Sequence, residues 1–136
     1  MSLRLGMLCA LLSISVAAAA APAPAPGTAP LLVIHGGAGV QRAGLSAEEE
    51  RAARTALRSA LLQGHAELQA GRPALAAVTR AITVLEDDPT FNAGRGAVFT
   101  HDGRNELDAA LMEGATRRAG AVAGVQRVRN PILLAQ

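Results

Sequence analysis

The chain has 136 residues with 13 basic and 11 acidic side chains, giving a formal net charge of only +2, and every basic residue is an arginine. Tryptophan and tyrosine are missing, Phe91 and Phe99 are the only aromatics, and the arginines are scattered, which argues against a nucleic-acid surface. The only cysteine, Cys9, falls in the first apolar stretch, so the remainder offers no disulfide, thiolate–zinc site or thiol nucleophile.

Residues 1–21 have the order of a secretory signal. Arg4 gives a positive start, Leu5 to Val16 an apolar stretch too short for a lasting anchor, and Ala17 to Ala21 small residues for cleavage. A periplasmic or secreted location without a stable membrane anchor is therefore expected. Residues 22–30 alternate Pro22, Pro24 and Pro26 with alanine, which fixes φ, removes donors and predicts an extended tether. Residues 31–136 are expected to hold one small α/β domain.

Leu31-Leu32-Val33-Ile34 predicts a short strand buried on both faces, and His35-Gly36-Gly37-Ala38-Gly39 a tight loop at its end. Ser46-Ala47-Glu48-Glu49 is a capping box opening a helix to about Gln69, with an apolar face at Ala53, Ala56, Leu57, Ala60, Leu61 and Leu68. Gly71 closes that helix and Pro73 opens a second, which buries Leu75, Val78, Ala81, Ile82 and Leu85 and must stop before Pro89. Ala97 to Thr100 and Asn105 to Met112 are predicted to form a hairpin about His101-Asp102-Gly103. Ala119 to Arg127 predicts a third strand of small residues and valine, and Asn130-Pro131 a helix start. One turn of helix does not sustain itself, so the domain is expected to be truncated.

Three loops carry candidate chemistry. The glycines after the first strand do not make a dinucleotide fingerprint, because Gly37 and Gly39 fit but the third position is Arg42. His35 is either a base or a hydrogen-bonded packing residue. Glu86, Asp87 and Asp88 are either ligands for a hard cation or a solvated helix end. Their carboxylates oppose the helix dipole there, so backbone carbonyls wrapping a cation would compensate. Asn92 either orients a nucleophile or substrate amide or makes an Asx turn. Glu106 and Asp108 share one strand face, as a carboxylate dyad or as an exposed surface.

Val33-Ile34-His35-Gly36-Gly37-Ala38-Gly39, Val84-Leu85-Glu86-Asp87, Phe91 to Thr100, Glu106-Leu107-Asp108-Ala109, Ala119 to Val125 and Arg129-Asn130-Pro131 follow one another in an order that resembles the N-terminal half of the plant-type L-asparaginases and isoaspartyl peptidases. The resemblance implies part of an αββα sandwich of the N-terminal-nucleophile hydrolases, the α-subunit half. It implies self-cleavage before a threonine that would lie beyond residue 136, pairing with the β subunit so released, and a dimer of α–β units. The implied substrates are small molecules, asparagine and β-aspartyl (isoaspartyl) dipeptides. No organic cofactor is implied, but a structural sodium ion is, held by the main-chain carbonyls of Leu85, Glu86, Asp88, Phe91, Ala93 and Arg95. His35, Gly36, Gly37 and Asn92 would lie near the active site. Arg95 departs from the apolar residue usual in the family, which a carbonyl ligand tolerates. This chain alone is expected to be inactive; Thr28 is the one formal candidate for an N-terminal threonine. The alternatives from other classes are a noncatalytic secreted remnant and a small periplasmic protein binding an anion at the glycine loop.

Overall fold

The computed structural model describes residues 29–37 and 44–136. The expected signal, Thr28, most of the tether and Ala38-Gly39 lie outside the described residues. The chain order is α1 (Ala47–Gln69), α2 (Ala74–Asp87), a one-turn 3₁₀ helix at Gly94–Gly96, β1 (Leu107–Met112), β2 (Ala119–Val125) and α3 (Pro131–Ala135).

Local chemistry sets both ends of α1. The Ser46 hydroxyl accepts from the Glu49 amide at 3.2 Å, and the Glu49 carboxylate accepts from the Ser46 amide at 2.8 Å, so the capping box is complete. At the other end Gly71 takes φ +73°, the Arg72 amide donates to the Glu67 carbonyl and the Gly71 amide to that of Leu68, both at 3.0 Å. That pair of bonds is a Schellman motif, which needs the left-handed residue glycine supplies.

The chain then turns back into α2, and the two helices approach closely. A Cβ on Gly64 would lie 2.7 Å from Leu32 Cδ2, 2.8 Å from the Ala77 carbonyl oxygen and 3.1 Å from Ala81 Cβ. Ala56, Ala60, Leu85 and Phe91 form the buried cluster, with Ile34, Leu57 and Val84 against it. Burial of a leucine or phenylalanine side chain contributes about 1.5–3 kcal/mol, so Leu85 and Phe91 dominate this core. Leu61 stays exposed at the edge of the α1 stripe.

β1 and β2 pair antiparallel, from Met112 opposite Ala119 to Leu107 opposite Val125. An extra residue on β2 shifts the register between Leu107 and Ala109. Gly124 takes φ +65° there, and Asp108 Oδ1 accepts its amide at 2.8 Å. The short α3 packs on this ribbon, and a Cβ on Gly120 would lie 2.0 Å from the Ala135 carbonyl oxygen. Helices and a ribbon in one chain give the expected α/β class.

Two predicted strands are not strands among the described residues. Leu31 to Ile34 is extended but joins no ladder, and it is not buried on both faces: Leu31 is 85% and Val33 79% exposed, while Leu32 and Ile34 face the helices. Ala97 to Thr100 also joins no ladder, so the predicted hairpin gives way to the β1–β2 pair. The turn itself forms, with the Thr100 amide donating to the Arg104 carbonyl at 2.7 Å. Past it, the Asn105 side-chain amide donates to the Ala97 and Val98 carbonyls at 2.7 and 3.3 Å, where a ladder partner would have bonded.

Candidate functional site: a cleft beside an acidic loop

The acidic loop begins where α2 ends. Pro89 has no amide hydrogen to offer the Leu85 carbonyl, and the Thr90 amide donates instead to Asp88 Oδ1 at 2.9 Å. The Leu85 carbonyl keeps only a long bond from the Asp88 amide, at 3.3 Å. Beyond Phe91 the chain folds back on glycines. Gly94 takes φ +50°, and a Cβ there would lie 2.4 Å from the Glu86 carbonyl oxygen. On Gly96 a Cβ would lie 2.1 Å from the Phe91 oxygen and 2.6 Å from that of Pro89. Main-chain oxygens thus crowd a cradle that only glycine can line. Side chains do not gather in the same way, since no group of three or more His, Asp or Glu able to hold a metal occurs among the described residues.

The two carboxyl groups at the start of this loop differ sharply. Glu86 is only 3% exposed; its Oε1 accepts the Ile132 amide at 3.1 Å, and its Oε2 has no partner among the described residues. Burial pushes its carboxyl above the usual glutamate range, against the opposing pull of the Ile132 amide. Asp87 Oδ1 accepts Arg129 Nε at 2.9 Å and Asn130 Nδ2 at 3.1 Å. The Arg129 hydrogen bond, then that of Asn130, holds the Asp87 carboxyl below its usual range.

Next to the loop is an open cleft of about 270 Å³ lined by His35, Gly36, Gly37, Phe91, Asn92, Ala93, Glu86 and Asp108, with Leu85 and Ile132 among its apolar walls. The glycine loop meets Phe91 at this cleft: a Cβ on Gly36 would lie 3.0 Å from Phe91 Cε1. His35 Nδ1 accepts the Gly37 amide at 3.2 Å, which assigns the imidazole proton to Nε2. Asn92 Oδ1 accepts the Val98 amide at 2.9 Å, which leaves its side-chain NH₂ to donate. Among the described residues, those around the cleft include no hydroxyl or thiol.

The structure therefore brings His35, Gly36, Gly37 and Asn92 to one cleft, together with Phe91 and Ala93 of the loop. Asp88 makes an Asx turn, and Arg95 lines a separate opening with Arg129 and Asn105. Glu106 and Asp108 do share an exposed face, with Glu106 Oε1 accepting Gln126 Nε2 at 3.1 Å and Asp108 occupied by Gly124. Sequence reading missed the burial of the Glu86 carboxyl and the part of Asn130, whose only local signal is its place before Pro131.

A family model described as asparaginase matches residues 28–136. The chain belongs to the asparaginase family. It is 50% identical over 107 residues to the isoaspartyl peptidase of Escherichia coli, covering 78% of this chain and 33% of that protein. The plant-type L-asparaginase of Pyrococcus abyssi is likewise 50% identical over 107 residues, covering 77% and 33%. The isoaspartyl peptidase/L-asparaginase of Danio rerio is 40% identical, covering 79% and 33%. The chain thus spans about a third of the length of the curated relatives it matches.

Proposed function

We propose that this asparaginase-family chain forms one wall of an amidohydrolase site that cleaves the side-chain amide of L-asparagine and the β-linked bond of isoaspartyl dipeptides. The observation that carries the reading is the cleft. Segments 35–37 and 91–93, far apart in sequence, meet there beside the Asn92 side-chain NH₂, and no hydroxyl or thiol lines the cleft among the described residues. The nucleophile proposed is a threonine outside residues 1–136, freed as a chain terminus. Its hydroxyl adds to the carbonyl carbon, and its own amino group takes the proton and passes it to the leaving nitrogen. The C–N bond breaks, and water then cleaves the resulting ester. The Asn92 side-chain NH₂ is suited to hold a substrate or nucleophile oxygen, and Gly36 and Gly37 let the main chain come close. On this reading residues 31–136 are the α-subunit half of an αββα sandwich, its partner is the β subunit, and two α–β units pair. Residues 1–21 and 22–30 are proposed as export signal and tether, which places the protein in the periplasm or outside the cell.

A sodium ion on the acidic loop is part of the proposal. The donors present fit it: main-chain oxygens around a glycine cradle at a helix C-terminus suit a hard monovalent cation. The carbonyls of Leu85, Glu86, Asp88, Phe91, Ala93 and Arg95 would hold it. The ion would supply a fixed charge that keeps the loop, and with it Asn92, in place.

The test pairs this chain with the remaining two-thirds of the Escherichia coli relative, co-expressed, and measures ammonia release from asparagine and hydrolysis of β-aspartyl dipeptides. Turnover is expected only with both pieces and is expected to fall about 100-fold or more in Asn92→Ala. Turnover by this chain alone, abolished by Thr28→Ala, would overturn the assignment.

A further inference from the structure

Glu86 and Asp87 face two ways. Their main chain forms the end of α2, where the acidic loop begins, and the Glu86 carbonyl oxygen is the atom that Gly94 approaches. Their side chains reach the far end of the chain. Glu86 Oε1 takes the Ile132 amide, and Asp87 Oδ1 takes both Asn130 Nδ2 and Arg129 Nε. Two consecutive residues thus hold three donors from segment 129–132.

α3 depends on these contacts. It has five residues, its Asn130 cap makes no side-chain capping bond, and a helix so short has no stability of its own. The side chain of Asn130 is spent on Asp87, and Glu86 supplies the acceptor that the Ile132 amide lacks within the helix. The arrangement is unfavourable for Glu86 itself, because it buries a carboxyl with one unpartnered oxygen. The other end of α3 rests on the ribbon at Gly120, so its position also bears on β2.

We infer that Glu86 and Asp87 are positioning residues that couple a monovalent cation on the acidic loop to the placement of α3. An ion that draws the Leu85 and Glu86 carbonyls together fixes the backbone of residues 85–88, and with it the two carboxyl groups from which segment 129–136 hangs. Linkage makes the effect mutual: loosening α3 weakens cation binding by the factor by which the cation steadies α3. The inference rests on the sodium reading above.

Hydrogen exchange by mass spectrometry on the full chain, in sodium chloride against choline chloride at equal ionic strength, tests it. Sodium is expected to slow exchange in peptides covering 85–97 and, about 5-fold or more, in those covering 129–136. Glu86→Leu and Asp87→Ala are expected to retain the first effect and lose the second. Glu86→Gln keeps an acceptor for Ile132 and is expected to retain both. Should Glu86→Leu fail to fold, Asp87→Ala on its partly exposed side chain carries the same test. Protection confined to 85–97 in the unaltered chain overturns the coupling and leaves the sodium reading standing. No sodium effect anywhere overturns both, and a wild-type response from Asp87→Ala removes Asp87 from the link.

Discussion

The α1–α2 pair and the segment Leu31–Ile34 are both rich in aliphatic residues, yet one is packed and the other half bare. Each helix satisfies its backbone from within, needing only Ser46, Glu49 and Gly71 at the ends of α1 and one apolar stripe. A strand satisfies its backbone within the protein through a neighbouring strand, and none pairs with Leu31–Ile34 among the described residues. Leu31, Val33, Val98 and Phe99 consequently remain exposed, while Leu32 and Ile34 use the helices as their floor.

Substitution at the helix contact should have the largest effect. Gly64→Val drives a branched side chain into the Ala77 carbonyl and Leu32, and is expected to destabilise the fold by about 2–3 kcal/mol in urea denaturation. A loss below about 0.5 kcal/mol would show that the helices can slide apart and that their packing is no tighter than that of the extended segment. Ser46→Ala should follow, with about 1 kcal/mol lost and less helical circular dichroism. The same cap has a pH signature. The Ser46 amide, then its hydroxyl, holds the Glu49 carboxyl below its usual range, so its stabilisation is present above the unfolded-state value and disappears as pH falls through the folded one. Glu49→Gln should therefore lower the urea midpoint at neutral pH and match the unaltered chain in acid; an equal gap at both would rule out the carboxylate as the cause. Val33→Thr should do least, within about 0.5 kcal/mol, because that side chain is 79% exposed. A clearly larger loss would mean the bare face is covered in solution.

What the sequence revealed follows the same division. Both ends of α1, and the stop of α2 before Pro89, were legible because each is decided by residues a few positions apart. The turn at His101-Asp102-Gly103 was legible too, with Gly103 at φ +73°. The pairing beyond it was not, because the side chain of Asn105 takes the carbonyls a ladder would have used, and no periodicity records that. In the candidate site, glycines and Asn92 stood out by type, but their meeting around Phe91 required the fold. Glu86 read as part of an acidic helix end and is instead buried, because its partner Ile132 lies 46 residues away.

That separation also orders assembly in time. The capping box closes over three residues, whereas the bonds from Glu86 and Asp87 to segment 129–132 close loops of 42 to 46 residues. Contacts of long sequence separation lose more chain entropy before they return any interaction energy. The helical pair is therefore expected to gain protection first in pulse-labelled refolding, and α3 to dock last and peel away first.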